Sequence, residues 1–195
     1  MKYNPDIHHR RSIRLKGYDY SQKGYYFVTI CIQNRECLLG QSINNTIVLN
    51  DAGLMVQNIW KTLSEHYPGV GIDSYIIMPN HIHGIIIVGA GPRACPCGVN
   101  TLQREAGMDT TMKLSDIIHR FKSLTTNIYH KSVIQYNWPS FPGKLWQRNY
   151  YDHIIRNDQE LNQIREYIIN NPVKWELDKE NPDNIKERPA KKHSK

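Results

Sequence analysis

A chain of 195 residues, 39% of them hydrophobic, is long enough to bury a core and short enough that one domain is expected. Its formal net charge of +7 points toward a polyanionic partner, nucleic acid first, although the stretch ERPAKKHSK (187–195) alone carries several of the charges. No apolar run reaches the length of a membrane span and the basic N-terminus lacks an apolar signal-peptide core, so neither membrane insertion nor secretion is expected and a cytoplasmic location is.

The four cysteines, at 31, 37, 95 and 97, do not have the pattern of a small disulfide-stapled domain. Cys95 and Cys97 lie close enough to share a metal, but no second pair follows, and a reduced pair in a loop is the plainer reading. Basic residues elsewhere are interleaved with aromatics and amides, as in HHRRSIRLKGYDY and LWQRNYYDHIIR, a mixture suited to gripping phosphates and stacking bases.

In chain order, residues 1–20 read as a basic arm. GYYFVTICIQ (24–33) is rich in aromatic and β-branched residues and alternates, which predicts a strand. A short strand is expected near 46–50. Asn50 or Asp51 can cap a helix carrying Leu54, Ile59, Trp60 and Leu63. Strands follow at 69–79 and 81–88, close enough across Pro79 and Asn80 to form a hairpin. Residues 89–111 form a long Gly-, Pro- and Thr-rich loop. KLSDIIHRFKSLTTNIYH (113–130) has the spacing of an amphipathic basic helix with Leu114, Ile117, Ile118, Phe121 and Leu124 on its stripe, 144–155 reads as a strand or extended segment, and 157–172 is a helix capped by Asn157 or Asp158 and stopped by Pro172. The order predicts an α+β domain over 21–175, an antiparallel sheet with helices packed on it, and a charged flexible tail over 176–195. No internal repeat is visible.

The strand at 81–88, HIHGIIIV, opens with two histidines. Residues two apart in a strand face the same way, so His81 and His83 project together, with Ile85 and Ile87 continuing their face. Both faces are apolar, which places the strand centrally, covered on both sides. Two neighbouring imidazoles there would repel as cations but are satisfied as neutral ligands of one divalent metal. The competing reading is two core-edge histidines, each bonded to backbone. On the 157–172 helix, Leu161, Ile164 and Ile168 form the apolar stripe, and Tyr167 and Asn171 stack one turn apart at its flank. A phenol there could act as a nucleophile and an amide oxygen as a hard metal ligand. An amphipathic helix with a half-buried Tyr and an Asn at its end accounts for the same residues.

Two blocks taken together resemble a known family. YIIMPNHIHGIIIV is similar to the HUH motif (histidine, bulky hydrophobic, histidine) of single-tyrosine transposases. LWQRNYYDHIIRNDQELNQIREYIINNPVKW resembles the C-terminal signature of the REP-associated tyrosine transposases. The N-terminal GYYFVTICIQNR agrees. The two blocks cover about a quarter of the chain, in matching order. The resemblance implies a ferredoxin-like (RRM-like) sheet and cleavage and rejoining of single-stranded DNA at or near hairpin repeats. It implies Mg²⁺ or Mn²⁺ on His81, His83 and Asn171, and Tyr167 as the nucleophile that keeps a 5′-phosphate. Asp152 and His153 fall in the family's acid–histidine pair, as site support or DNA contacts. Arg156, Arg148 and Gln147, and more weakly Arg120 and Lys122, are candidate DNA contacts, each equally readable as a solvated charge or polar group. A monomer is expected rather than the helix-exchanging dimer of related insertion-sequence enzymes. The loop at 89–111 is longer than the family pattern.

Two other functions compete. A non-catalytic single-stranded nucleic-acid-binding module would stack bases on Tyr25, Tyr26 and Phe27 of an RRM-like sheet. A metal-dependent phosphodiesterase would use water instead of tyrosine.

Overall fold

The computed structural model describes Leu15, residues 17–90 and residues 112–186. Most of the N-terminal arm and of the 89–111 loop, with Cys95 and Cys97, lies outside the described residues.

Among the described residues, six strands and three principal helices follow one another as β1 (Gly24–Cys31), β2 (Gly40–Ile43), β3 (Thr46–Leu49), α1 (Asp51–His66), β4 (Val70–Ile77), β5 (His81–Val88), α2 (Leu114–Tyr136), β6 (Tyr151–Ile155) and α3 (Asp158–Ile169). Strands β2 and β3 form a separate ribbon, and the main sheet has the order β4-β5-β1-β6 with every neighbour antiparallel. Without the ribbon the path is β-α-β-β-α-β, which is the ferredoxin-like arrangement expected, with α3 added at its end.

Alternation along β1 sorts the two faces. Tyr26, Val28 and Ile30 join Ile82 and Ile86 of β5 in the main core, covered by Val56, Trp60 and Leu63 of α1 and Leu114, Ile117 and Phe121 of α2. Phe27 and Ile85 point the other way and meet Ile155, Leu161 and Ile168 beneath α3. Because helices cover both faces, all eight residues of β5 are buried, and the near-continuous apolar run follows from that position.

The helix caps are legible in the residues. The Asn50 side chain accepts from Gly53 N at 2.9 Å to open α1, and Asn157 accepts from Glu160 N at 2.8 Å to open α3. α2 runs past its expected end to Asn137, whose left-handed φ of 54° terminates it. α3 ends at Ile169, short of 172, since Pro172 starts a 3-10 segment, Pro172–Leu177. Two stripe positions differ from expectation. Leu54 and Leu124 are 52% and 43% exposed, and Val56 and Thr125 occupy the buried positions beside them. The extended segment 144–150 contributes only a bridge from Trp146 to Ile32 before β6 begins. Trp146 is fastened there by its indole N–H, which donates to Thr125 Oγ1 at 2.8 Å.

The assignment of 176–195 to a tail is corrected for its first part. Residues 176–184 fold back onto the body, with Glu180 8% and Asn181 6% exposed, and a short helix, Pro182–Lys186, follows. Charged composition misled here because Asp178 and Glu180 are spent on internal partners. Among the described residues no helix is long and apolar enough to cross a membrane.

Candidate metal and tyrosine site

The β4–β5 turn delivers the histidines. Met78 N donates to His81 O at 2.8 Å across Pro79 and Asn80, so β5 starts on His81 at the edge of the core. Both imidazoles lie on the α3 face. His81 Nε2 and His83 Nε2 are 3.0 Å apart, and the two residues are 0% and 3% exposed. Each Nδ1 has a fixed neighbour at 2.8 Å, Asn80 Oδ1 for His81 and Thr29 Oγ1 for His83. Burial pushes both rings toward the neutral form, His81 well below its ordinary value and His83 down to about 3, with their own proximity and Lys179 adding to the effect at His81. Neutral imidazoles are the form that ligates metals.

α3 brings the phenol to the same place. Its seat is the small apolar cluster under Leu161 and Ile168, reinforced at two points. Arg165 makes a bidentate pair with Asp73 of β4 at 2.9 and 2.6 Å, and Glu160 bonds His153 Nε2 at 2.6 Å and Arg156 N at 2.7 Å. Tyr167 Oη then sits 3.3 Å from His83 Nε2. Phe27 packs against both, stacked on His83 at 5.5 Å and edge-on to Tyr167 at 5.9 Å. Tyr167 is 40% exposed, so solvent reaches it. Partial burial raises its pKa, and the Asn171 amide draws it back down.

Asn171 follows the end of α3, 2% exposed, and its Oδ1 is buried with no hydrogen-bond partner among the described residues. An orphaned carbonyl oxygen in such a place costs free energy unless something binds it.

A further group was invisible from sequence. Asp178, set aside with the tail, puts Oδ2 3.8 Å from His81 Nε2. His81, His83 and Asp178 offer ligand atoms all within 4.8 Å of one another. The carboxylate is oriented by Glu180 N, which donates to its Oδ1 at 2.8 Å, and burial raises its pKa. The only prior signal was an acid a few residues past the tyrosine helix, which is too common to be specific.

The remaining candidates do not converge on this point. Asp152 pairs opposite Val28, on the α1–α2 face. His153 shares the α3 face but anchors the start of that helix through Glu160. Gln147 holds the strand end, its N–H on Cys31 O and its side chain on Ile32 O. Lys122 Nζ donates to the carbonyls of Gln147 at 2.8 Å and Asn149 at 3.1 Å. Arg120 lies over the Tyr67 ring at 5.2 Å. Arg156 is exposed at the start of α3. Arg148 is exposed and lines a concavity with Gln33, Asn34, Pro142, Gly143 and Lys144.

The stacking platform of the binding-module reading is not present as expected. Tyr26 is fully buried and Phe27 is 8% exposed, leaving only Tyr25 at 37%. The sheet face that an RRM leaves open is covered here by α3.

Comparison with known proteins adds four findings. The family model described as "Transposase IS200 like" matches residues 106–171, which include Tyr167 and Asn171 but not the histidine strand. An uncharacterised Haemophilus influenzae protein is 43% identical over 180 residues, spanning 91% of this chain and 96% of that one. A second protein of that organism, provisionally named REP-associated tyrosine transposase, is 27% identical over 157 residues, 80% of this chain and 74% of its own length. Among solved structures, one described as a REP-associated tyrosine transposase bound to a REP hairpin superposes with a TM-score of 0.54 at 19% identity, covering 85% of this chain and 74% of that one, a likeness of fold.

Proposed function

We propose that this chain is an IS200-like transposase of the REP-associated tyrosine kind and that it nicks and rejoins single-stranded DNA at hairpin repeats through Tyr167. The observation that carries the reading is the convergence of a solvent-reachable phenol, 3.3 Å from His83 Nε2, on a buried pair of neutral imidazoles.

The donor set fits a divalent cation. Two imidazole nitrogens and the Asp178 carboxylate lie within reach of one another, and Asn171 adds a buried oxygen with no other partner. Mixed nitrogen and oxygen donors suit a divalent metal ion, and the family resemblance points to Mn²⁺ or Mg²⁺. When bound, such an ion would polarise the scissile phosphate and stabilise the charge that develops on it.

The chain's own residues do the rest. Tyr167 Oη forms the new bond to phosphorus as the bond to the 3′ oxygen breaks. The phenolic proton leaves to solvent and the departing oxygen takes one up, so the products are a 5′-phosphotyrosine and a free 3′-hydroxyl. Attack by a second 3′-hydroxyl reverses these changes and rejoins the strand, since the covalent link conserves the bond energy. Phe27 and His83 limit the phenol's rotation, and the Asn171 amide favours its anion. α3 packs on the sheet of its own chain, so one chain can hold both the tyrosine and the histidines, an arrangement compatible with action as a monomer.

The test is a denaturing gel with 5′- and 3′-labelled hairpin DNAs taken from repeats beside the gene, with Mn²⁺ or EDTA. The expected result is a metal-dependent protein–DNA adduct carrying the 3′-side fragment, absent in Tyr167→Phe, which still binds the hairpin. Cleavage without an adduct would replace the tyrosine by water. Tight binding without cleavage of any such hairpin would leave the binding-module reading.

A further inference from the structure

Two adjacent imidazoles can act as ligands together only if each directs a bare nitrogen inward, and the proton positions are set by what surrounds them. For His81 the surroundings decide. Asn80 is fully buried at 0% exposure. Its side-chain nitrogen donates to two main-chain carbonyls, Arg35 O at 2.9 Å and Glu180 O at 2.8 Å. Turning the carboxamide over would set its oxygen against both carbonyl oxygens. Its oxygen is therefore the atom facing His81 Nδ1 at 2.8 Å. A carboxamide oxygen only accepts, so Nδ1 must carry the proton. Nε2 is left bare, directed at the 3.0 Å contact with His83 and toward Asp178.

His83 is held differently. Its Nδ1 partner is the Thr29 hydroxyl, which both donates and accepts, so the proton can sit on either nitrogen. With His81 Nε2 bare, His83 Nε2–H fills the contact between the rings, and rotation of one hydroxyl releases it.

Asn80 is itself held firmly. Its main-chain oxygen accepts from Ile32 N at 2.8 Å. The Arg35 carbonyl reaches it from a turn in which Asn34 and Arg35 both have φ of 59°, a left-handed conformation that residues with a Cβ adopt at a cost. The Glu180 carbonyl arrives on the folded-back C-terminal segment, whose Glu180 side chain is tied to Arg35 Nε at 2.6 Å.

We propose that Asn80 is a positioning residue that locks His81 in its Nδ1–H tautomer and so presents Nε2 as a ready metal ligand, with the Glu180 carbonyl making the C-terminal segment part of the lock. This rests on the metal-binding reading of the histidine pair, but its first test needs no metal or DNA.

Long-range ¹H–¹⁵N NMR of metal-free, ¹⁵N-histidine-labelled protein reads the tautomer directly, with His81 assigned by comparison with His81→Gln. The expected spectrum has a protonated Nδ1 and a bare Nε2 at neutral pH. A folded Asn80→Ala protein should lose that tautomer preference and bind Mn²⁺ roughly 10–100-fold more weakly by titration. An Nε2–H form of His81 in the unmodified protein overturns the proposal, whether or not the variant folds. An Asn80→Ala protein that keeps the tautomer and its Mn²⁺ affinity overturns it equally. Should the unmodified protein show the expected tautomer yet bind no Mn²⁺, the lock fails as a device for metal binding, and the separate DNA-adduct assay shows whether the transposase reading fails with it.

Discussion

Gly84 offers a prediction in which two physical effects oppose each other. It lies in β5 between His83 and Ile85, on the α1–α2 face. A Cβ built there would stand 2.5 Å from Trp60 Cζ2, 3.1 Å from Cε2 and 3.2 Å from Tyr75 Cβ. Carbon atoms settle at roughly 3.5–4.0 Å, so the indole would have to give by about 1 Å. Trp60 is fully buried and packs edge-on against Phe121 at 5.2 Å, so it cannot shift alone. Overpacking of this kind costs about 1–3 kcal/mol. On the other side, Gly84 is outside the positive-φ region, and alanine would recover about 0.5–1 kcal/mol of backbone entropy. The clash wins. Gly84→Ala should destabilise by about 1–2 kcal/mol, a fall in Tm of roughly 2–8 °C for a domain of this size. Thermal unfolding followed by near-UV circular dichroism measures it. Trp60→Phe removes the atoms that clash, so the double variant should be more stable than the sum of the two single losses predicts. A Tm unchanged or raised in Gly84→Ala, or strict additivity in the double variant, would refute the packing argument.

Other outcomes follow from single contacts. Lys122→Met keeps the stem but loses the bonds to the carbonyls of residues 147–149. It should lower Tm and leave the salt slope of DNA binding unchanged, whereas a slope smaller by about one would mark Lys122 as a phosphate contact. The Arg165 hydrogen bonds hold the Asp73 carboxyl below its usual range, so this pair's contribution is full above the unfolded value near pH ~4 and is lost as pH falls through the lower folded value. Asp73→Asn should therefore cost roughly 1 kcal/mol at neutral pH and flatten the acid limb of a pH–stability curve; an unchanged limb counts against the pair. Asp178→Asn keeps the side chain's size and removes its charge. Mn²⁺ titration should show an affinity loss of roughly 10–100-fold or more, and an unaltered affinity would exclude Asp178 from the site.

Local chemistry made much of this protein readable in one dimension. Alternation placed His81 and His83 on one face, and an apolar run on both faces marked β5 as central. Asn50, Asn157 and Pro172 punctuated the helices because capping and proline effects act over a few residues. The spacing of Tyr167 and Asn171 was likewise visible, since one helix turn sets it. Tertiary structure alone decided what these residues face. That Asp178 turns back to His81, that Asn80 sets the imidazole, and that Lys122 and Gln147 are spent on backbone carbonyls all depend on contacts between segments far apart in the chain. The pattern of neighbouring residues holds no record of such contacts. Charge was the least reliable guide, because a carboxylate or ammonium reads the same in sequence whether it meets water, a carbonyl or a buried imidazole.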